Sequence, residues 1–191
     1  MFKVVYEENI LMSDNKHGKW KRILLKSLCV QIVFLLIHYS YDWFPNGITR
    51  IFSNTSEAVF QHMKVGFYSY GFVSLIEYFM NRVKTDQPSY GFARLTTTVF
   101  YAWPMFILFF APAAYYGQYG TDLAEIISAN IILFLTSMIA VIFETEFEKI
   151  ELSVDYKVVI VILGLVFLSL LVIFSFRYPW FDVFAIPPGW E

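Results

Sequence analysis

Five stretches of the chain, at about 23–44, 57–80, 92–116, 123–143 and 158–177, are long and mostly apolar. At 1.5 Å rise per residue, roughly 20 helical residues cross about 30 Å of hydrocarbon, so each stretch predicts a membrane span. A strand barrel needs short alternating segments, and none occur, which leaves helix as the form in which a backbone satisfies its own hydrogen bonds in lipid. The expected fold is all-α: a polytopic transmembrane helical bundle of about five spans, with residues 1–191 forming one domain in the cell membrane.

The chain is 58% hydrophobic and 16% charged, against about 45–50% and about 25% for soluble domains. The excess is concentrated in the long runs, as a lipid-facing bundle requires. A net charge of −2 with sparse, scattered Lys and Arg lacks the basic stripe of a phosphate binder, so no nucleic-acid partner is expected. The single cysteine, Cys29, supports neither an intramolecular disulfide nor a cysteine metal site. The leading segment MFKVVYEENILMSDNKHGKWKR is polar and mixed in charge, and the run after it is too long for a signal core. That run is expected to stay in place as the first span.

Basic residues set the expected orientation. Lys16, Lys19, Lys21, Arg22 and Lys26 precede or open the first span. Arg82, Lys84 and Arg94 fall between the second and third, and Lys149 and Lys157 between the fourth and fifth. The alternate side carries only Arg50 and Arg177. The positive-inside rule then puts the N-terminus in the cytoplasm and the C-terminus outside.

The segment FETEFEKIEL repeats Phe143, Phe147 and Ile150 at helical spacing with carboxylates opposite, which predicts an amphipathic, solvated continuation of the fourth helix. The tail RYPWFDVFAIPPGWE, aromatic and broken by proline, is expected to lie as an outer flap at the headgroup layer. Both segments offer contact surfaces for a membrane-protein partner or a second copy of the chain; the bilayer itself is the first partner implied.

Ionisable groups inside spans are costly and each needs a reason. His38 and Asp42, four apart, share a face near the outer end of the first span. Thr55 or Ser56 is expected to cap the second helix, with Glu57 in its first turn and His62 a turn and a half further. A short connection makes the two helices antiparallel neighbours, so His38, Asp42, Glu57 and His62 should meet at one depth. Two imidazoles and two carboxylates can bind a divalent transition metal such as zinc, or iron or manganese. They can equally serve as catalytic acid and base, or simply as hydrogen-bonded links between helices. With only His17 besides, on the opposite side, a three-histidine zinc site is not available, and neither HExxH nor GxSxG occurs.

Elsewhere, Glu77 is expected to pair with Arg82 or Lys84, and Lys64 to reach outward or pair with Glu57 or Asp42. His62, Gly66, Ser69 and Val73 form a stripe with small members suited to close packing. Asn130 and Ser137, seven apart, face one way, and Trp103-Pro104 predicts a kink.

Ser56, Glu57, Ala58, Val59, Phe60, Gln61, His62, Met63 and Lys64, followed by Ile76-Glu77-Tyr78, resemble a family of bacterial and archaeal multi-span membrane proteins. That family, whose function is uncharacterised, carries the pattern N-E-S-x-W-E-H-x-K and then I-E-Y. His38 with Tyr41-Asp42-Trp43 and the proline-bearing aromatic tail resemble other parts of it. Ser56, Phe60 and Gln61 stand where the family has asparagine, tryptophan and a second glutamate. The resemblance implies a helical membrane fold and no particular reaction. Three functions fit: a membrane-embedded enzyme acting on a lipid or amphiphile, a small-ligand binding or transport module, and a structural subunit of a membrane complex.

Overall fold

The computed structural model describes residues 2–81, 87–117 and 120–177, with side chains throughout except at 2–17, 81, 110–114, 116 and 122. The aromatic tail, Arg82 and Lys84 lie outside these residues, as does the side chain of His17. Six helices follow in order: α1 Phe2–Trp43, α2 Gly47–Phe52, α3 Val59–Asn81, α4 Tyr90–Tyr116, α5 Asp122–Phe147 and α6 Val154–Phe176. No strand occurs among the described residues.

Local chemistry sets several boundaries. Asn46 closes a capping box on α2: its side chain accepts from Ile48 N and Thr49 N, and the Thr49 hydroxyl accepts from the Asn46 backbone N–H. The Thr121 hydroxyl accepts from Ala124 N at the start of α5. Helix α4 runs through Pro104 as one element.

Helices α1, α3, α4 and α5 pack in a ring, α1 on α3, α3 on α4, α4 on α5 and α5 back on α1. Helix α6 lies outside the ring against α4, with α2 bridging it to α1 and α3. Four helical segments, Gly18–Trp43, Tyr90–Phe109, Leu123–Phe147 and Val154–Phe176, are long and apolar enough to cross a membrane. Their outward faces present Leu24, Leu28, Ile32, Ile131, Ile162 and Leu165, an extent of exposed apolar surface that suits lipid rather than water.

Helix α3, which answers to the span expected at 57–80, is as long as α6 but is not among those four. Its polar residues explain the difference. Gln61, Lys64, Ser69 and Ser74 are all buried, facing other helices rather than the surroundings. Gly66 lets α3 approach α4 closely, since a Cβ there would stand 3.1 Å from both Tyr101 Cε1 and Met105 Cε. Around this contact lies the core of Val30, Phe34, Val65, Tyr70, Tyr101, Leu133 and Val141.

At one end of the ring six charged groups interlock. Lys26 Nζ donates to Glu77 Oε2 at 2.6 Å and to both oxygens of Glu144 at 2.7 Å. Arg22 reaches Glu148 at 2.6 Å and Glu77 at 3.2 Å, and Arg94 reaches Glu77 at 2.9 Å and Glu148 at 3.0 Å. The Tyr70 hydroxyl adds a bond to Glu144 at 2.9 Å. Three cations meet three carboxylates, so the buried set is neutral and its members hold one another's charge in a region of low dielectric.

This arrangement corrects one expectation. The carboxylates of FETEFEKIEL do not form one solvated face: Glu144 and Glu148 are buried, while Glu146 and Glu151 are exposed. Arg82 and Lys84, the partners expected for Glu77, lie outside the described residues; among those described, the bundle brings Lys26 and Arg22 from α1 and Arg94 from α4 to it.

Lys64 is also corrected. Its side chain is fully buried and neither reaches outward nor meets Glu57 or Asp42; Nζ donates to Arg50 O at 2.9 Å and to Ser175 Oγ at 3.3 Å. Arg50 and Ser175 lie in the last turns of α2 and α6, where unpaired carbonyls give a helix end its partial negative charge. A helix-end carbonyl of α2 and a hydroxyl of α6 thus hold the amine. Arg50 reinforces the junction by donating from Nε to Ser175 O at 2.9 Å.

Candidate metal centre

At the opposite end of α1 from the charged set, the chain turns through α2 and returns as α3. Ser53 fixes this return. Tyr41 N donates to Ser53 Oγ at 3.0 Å, and that hydroxyl donates to Ile37 O, with His38 O 2.9 Å away. The hydroxyl is wedged beside the 37–41 step of α1, where an inserted side chain locally opens the helical ladder. The next residue, Asn54, is thereby held beside the His38 ring. Helix α3 begins at Val59, so Glu57 sits in the approach loop instead of the first helical turn, and the Ala58 carbonyl accepts from Gln61 N at 2.9 Å.

His38, Glu57 and His62 converge: one ligand atom from each lies within 4.8 Å of the other two. His38 Nε2 is 3.4 Å from His62 Nε2, and His62 Nε2 is 3.3 Å from Glu57 Oε2. Tetrahedral ligands about 2.0–2.1 Å from a zinc ion stand about 3.3–3.4 Å apart. The two measured separations therefore match the edges of a coordination tetrahedron.

Proton positions strengthen the case. His62 Nδ1 lies 3.2 Å from the Ala58 carbonyl oxygen, and a carbonyl can only accept, so Nδ1 carries the hydrogen. In neutral His62 this leaves the Nε2 lone pair facing a carboxylate oxygen and a second imidazole nitrogen. A hydrogen or a metal ion must then lie among these atoms: the Nε2–H of neutral His38 donating to His62, an added proton on His62 Nε2, or a metal ion held by all three. The Nδ1–H to backbone bond is also the usual support that fixes a metal-binding imidazole.

When the cation is a proton, His62 Nε2–H bonds to Glu57, and this bond holds the Glu57 carboxyl below its ordinary value of 4.5. The Glu57 side chain is 40% exposed, so the cluster opens to the surroundings on that side. Aromatic rings enclose the rest, with Phe109 stacked 6.2 Å from His62 and Tyr39 edge-on 4.8 Å from His38.

Of the four residues singled out from sequence, the structure brings together His38, Glu57 and His62. Asp42 is exposed and stands outside the converging group. Asn54, which sequence reasoning passed over, stands within it: its Nδ2 is 3.1 Å from His38 Nε2 and 3.3 Å from Glu57 Oε1. No family model, curated protein or solved structure matches the chain.

Proposed function

We propose that this chain is an integral membrane protein of five spans that holds a divalent transition metal at His38, Glu57 and His62, and uses it on a lipid or amphiphile. The meeting of three possible ligand atoms within 4.8 Å of one another, two of their separations at tetrahedral edge length, carries this reading. Two imidazoles and one carboxylate form a donor set used by hydrolytic zinc sites and by non-haem iron sites. A metal held so acts as a Lewis acid and lowers the pKa of its bound water to about 7. His38, Glu57 and His62 bind the ion; Asp42, exposed one turn after His38, is placed to exchange protons with the surrounding water.

Helix α3 is the fifth span on this reading, admitted to the bilayer because its polar face is covered by α1 and α4. Most basic residues of the sequence fall toward the end holding the charged interlock, which supports reading that end as cytoplasmic and the metal centre as lying at the outer leaflet. The resemblance noted at Glu57, His62 and Lys64 then covers two of the three metal ligands and the lysine that anchors the helix of His62.

Metal analysis of the purified full chain tests the proposal. After growth with added zinc, iron and manganese, wild type should hold about one ion per chain. His38→Ala and His62→Ala should hold little, and Asp42→Ala should match wild type. A wild-type protein without metal, or histidine variants that retain it, overturns the reading.

A further inference from the structure

Asn54 is 95% buried (5% exposed), yet its Oδ1 has no hydrogen-bond partner among the described residues. A buried amide oxygen without a partner carries a desolvation penalty of about 1–3 kcal/mol, and such an atom needs an explanation. The same side chain points its Nδ2 into the cluster described above.

Amide nitrogen and oxygen exchange places by a half-turn of the side-chain group, and which one faces a neighbour depends on the company present. With a proton as the shared cation, Nδ2 inward is favourable because it donates to His38 Nε2 and Glu57 Oε1. With a metal ion present, the His38 lone pair is taken and that donation is lost. The half-turn then brings Oδ1 to the position Nδ2 now holds, 3.1 Å from His38 Nε2 and 3.3 Å from Glu57 Oε1. The first separation falls near the edge of a coordination tetrahedron, about 3.3–3.4 Å; the second is to the Glu57 oxygen other than the one that faces His62, and sets Oδ1 beside the same carboxylate.

We propose that Asn54 Oδ1 is the fourth protein ligand of a His38–Asn54–Glu57–His62 metal centre. The inference rests on the metal reading given under the proposed function. Its donor set is two nitrogens and two oxygens with a single formal negative charge, supplied by Glu57. Such a set suits zinc, manganese or iron in the divalent state and disfavours soft monovalent copper. The Ser53 wedge in α1 is what delivers this ligand, so the ion ties the return loop to the ends of α1 and α3. Any water or substrate atom enters as an additional ligand from the exposed Glu57 side.

Competition between the full-length protein in detergent and a chromophoric chelator measures the affinity for zinc. Asn54→Ala should weaken binding by about 10–100-fold, while Asn54→Asp, which keeps an oxygen at the same reach, should bind at least as well as wild type. The visible absorption of the cobalt(II)-substituted protein, sensitive to ligand number and type, should change in Asn54→Ala. Zinc affinity within twofold of wild type and an unchanged cobalt spectrum in Asn54→Ala would remove Asn54 from the centre and leave the three-residue site standing. Equal losses in the alanine and aspartate variants would show a packing role and also overturn the proposal. Wild type that takes up neither zinc nor cobalt defeats both this inference and the reading beneath it.

Discussion

Lys26 Nζ lies 2.7 Å from each carboxylate oxygen of Glu144, across 118 positions of sequence, with neither side chain appreciably exposed. The contact joins α1 to α5, and through Glu77 and Tyr70 it includes α3. Buried pairs of this kind set which helices may associate, because a mismatched neighbour leaves a bare charge inside the bundle.

Removing one partner should therefore be severe. Glu144→Ala is expected to lose about 3–5 kcal/mol of stability, as for other broken buried pairs. The double variant Lys26→Met with Glu144→Leu should lose distinctly less, since no uncompensated charge remains. Denaturant unfolding in detergent micelles measures both. A double variant as unstable as the sum of its singles would contradict the pairing.

Lys64 offers a contrasting case, a buried amine bound to helix ends. Lys64→Met leaves Arg50 O without its Nζ donor and loosens the junction of α2 with α6. A loss of about 1–3 kcal/mol is expected from the stranded oxygen. Thermal unfolding of the purified variant checks it, and a stability equal to wild type would show that the helix ends do not need the amine.

Gly66 tests the closeness of α3 and α4. A methyl group there must displace the Tyr101 ring, which is tied to Ser137 by a 2.8 Å hydrogen bond, or the more yielding Met105 side chain. Gly66→Ala should cost about 1–3 kcal/mol as overpacking, and Gly66→Leu should prevent normal assembly. The melting temperature and gel-filtration profile of the two variants decide the matter.

Glu57 gives a pH signature. Its pKa is depressed in the folded protein, so its contribution to stability is fully present above the unfolded value near 4.5 and is lost as pH falls through the lower folded value. The melting temperatures of wild type and Glu57→Gln should differ at neutral pH and converge under acid conditions. A gap that widens on acidification would carry the wrong sign. Added metal should enlarge the neutral-pH gap, because metal and proton compete for the same donors.

The long apolar runs made the helices legible, since periodicity and length are local properties. His38, Glu57 and His62 were legible too, because a short connection forces the ends of neighbouring helices together. Two other features were hidden for the same reason in reverse. Glu144 and Glu148 look from local spacing like a wet helix end, and only the meeting of α5 with α1 and α4 shows that Arg22, Lys26 and Arg94 enclose them. A sequence signal did exist: Lys26, Glu77, Arg94 and Glu144 all fall near one end of their apolar runs, with charges that cancel. Asn54 gave no such hint. It reaches His38 through the Ser53 wedge, a backbone-to-hydroxyl contact that no residue spacing announces.

The polar character of α3 bears on how the molecule is made. A segment carrying Gln61, His62, Lys64 and Glu77 partitions poorly into lipid by itself, and its neighbours α1 and α4 lie on either side of it in the chain. If α3 is the fifth span, as proposed above, it would have to wait at the insertion machinery until α4 emerges, then enter the bilayer sheltered between α1 and α4. A ribosome-bound fragment from which α3 but not α4 has left the exit tunnel would hold this helix at the membrane surface, and lengthening the nascent chain until α4 emerges would draw it in.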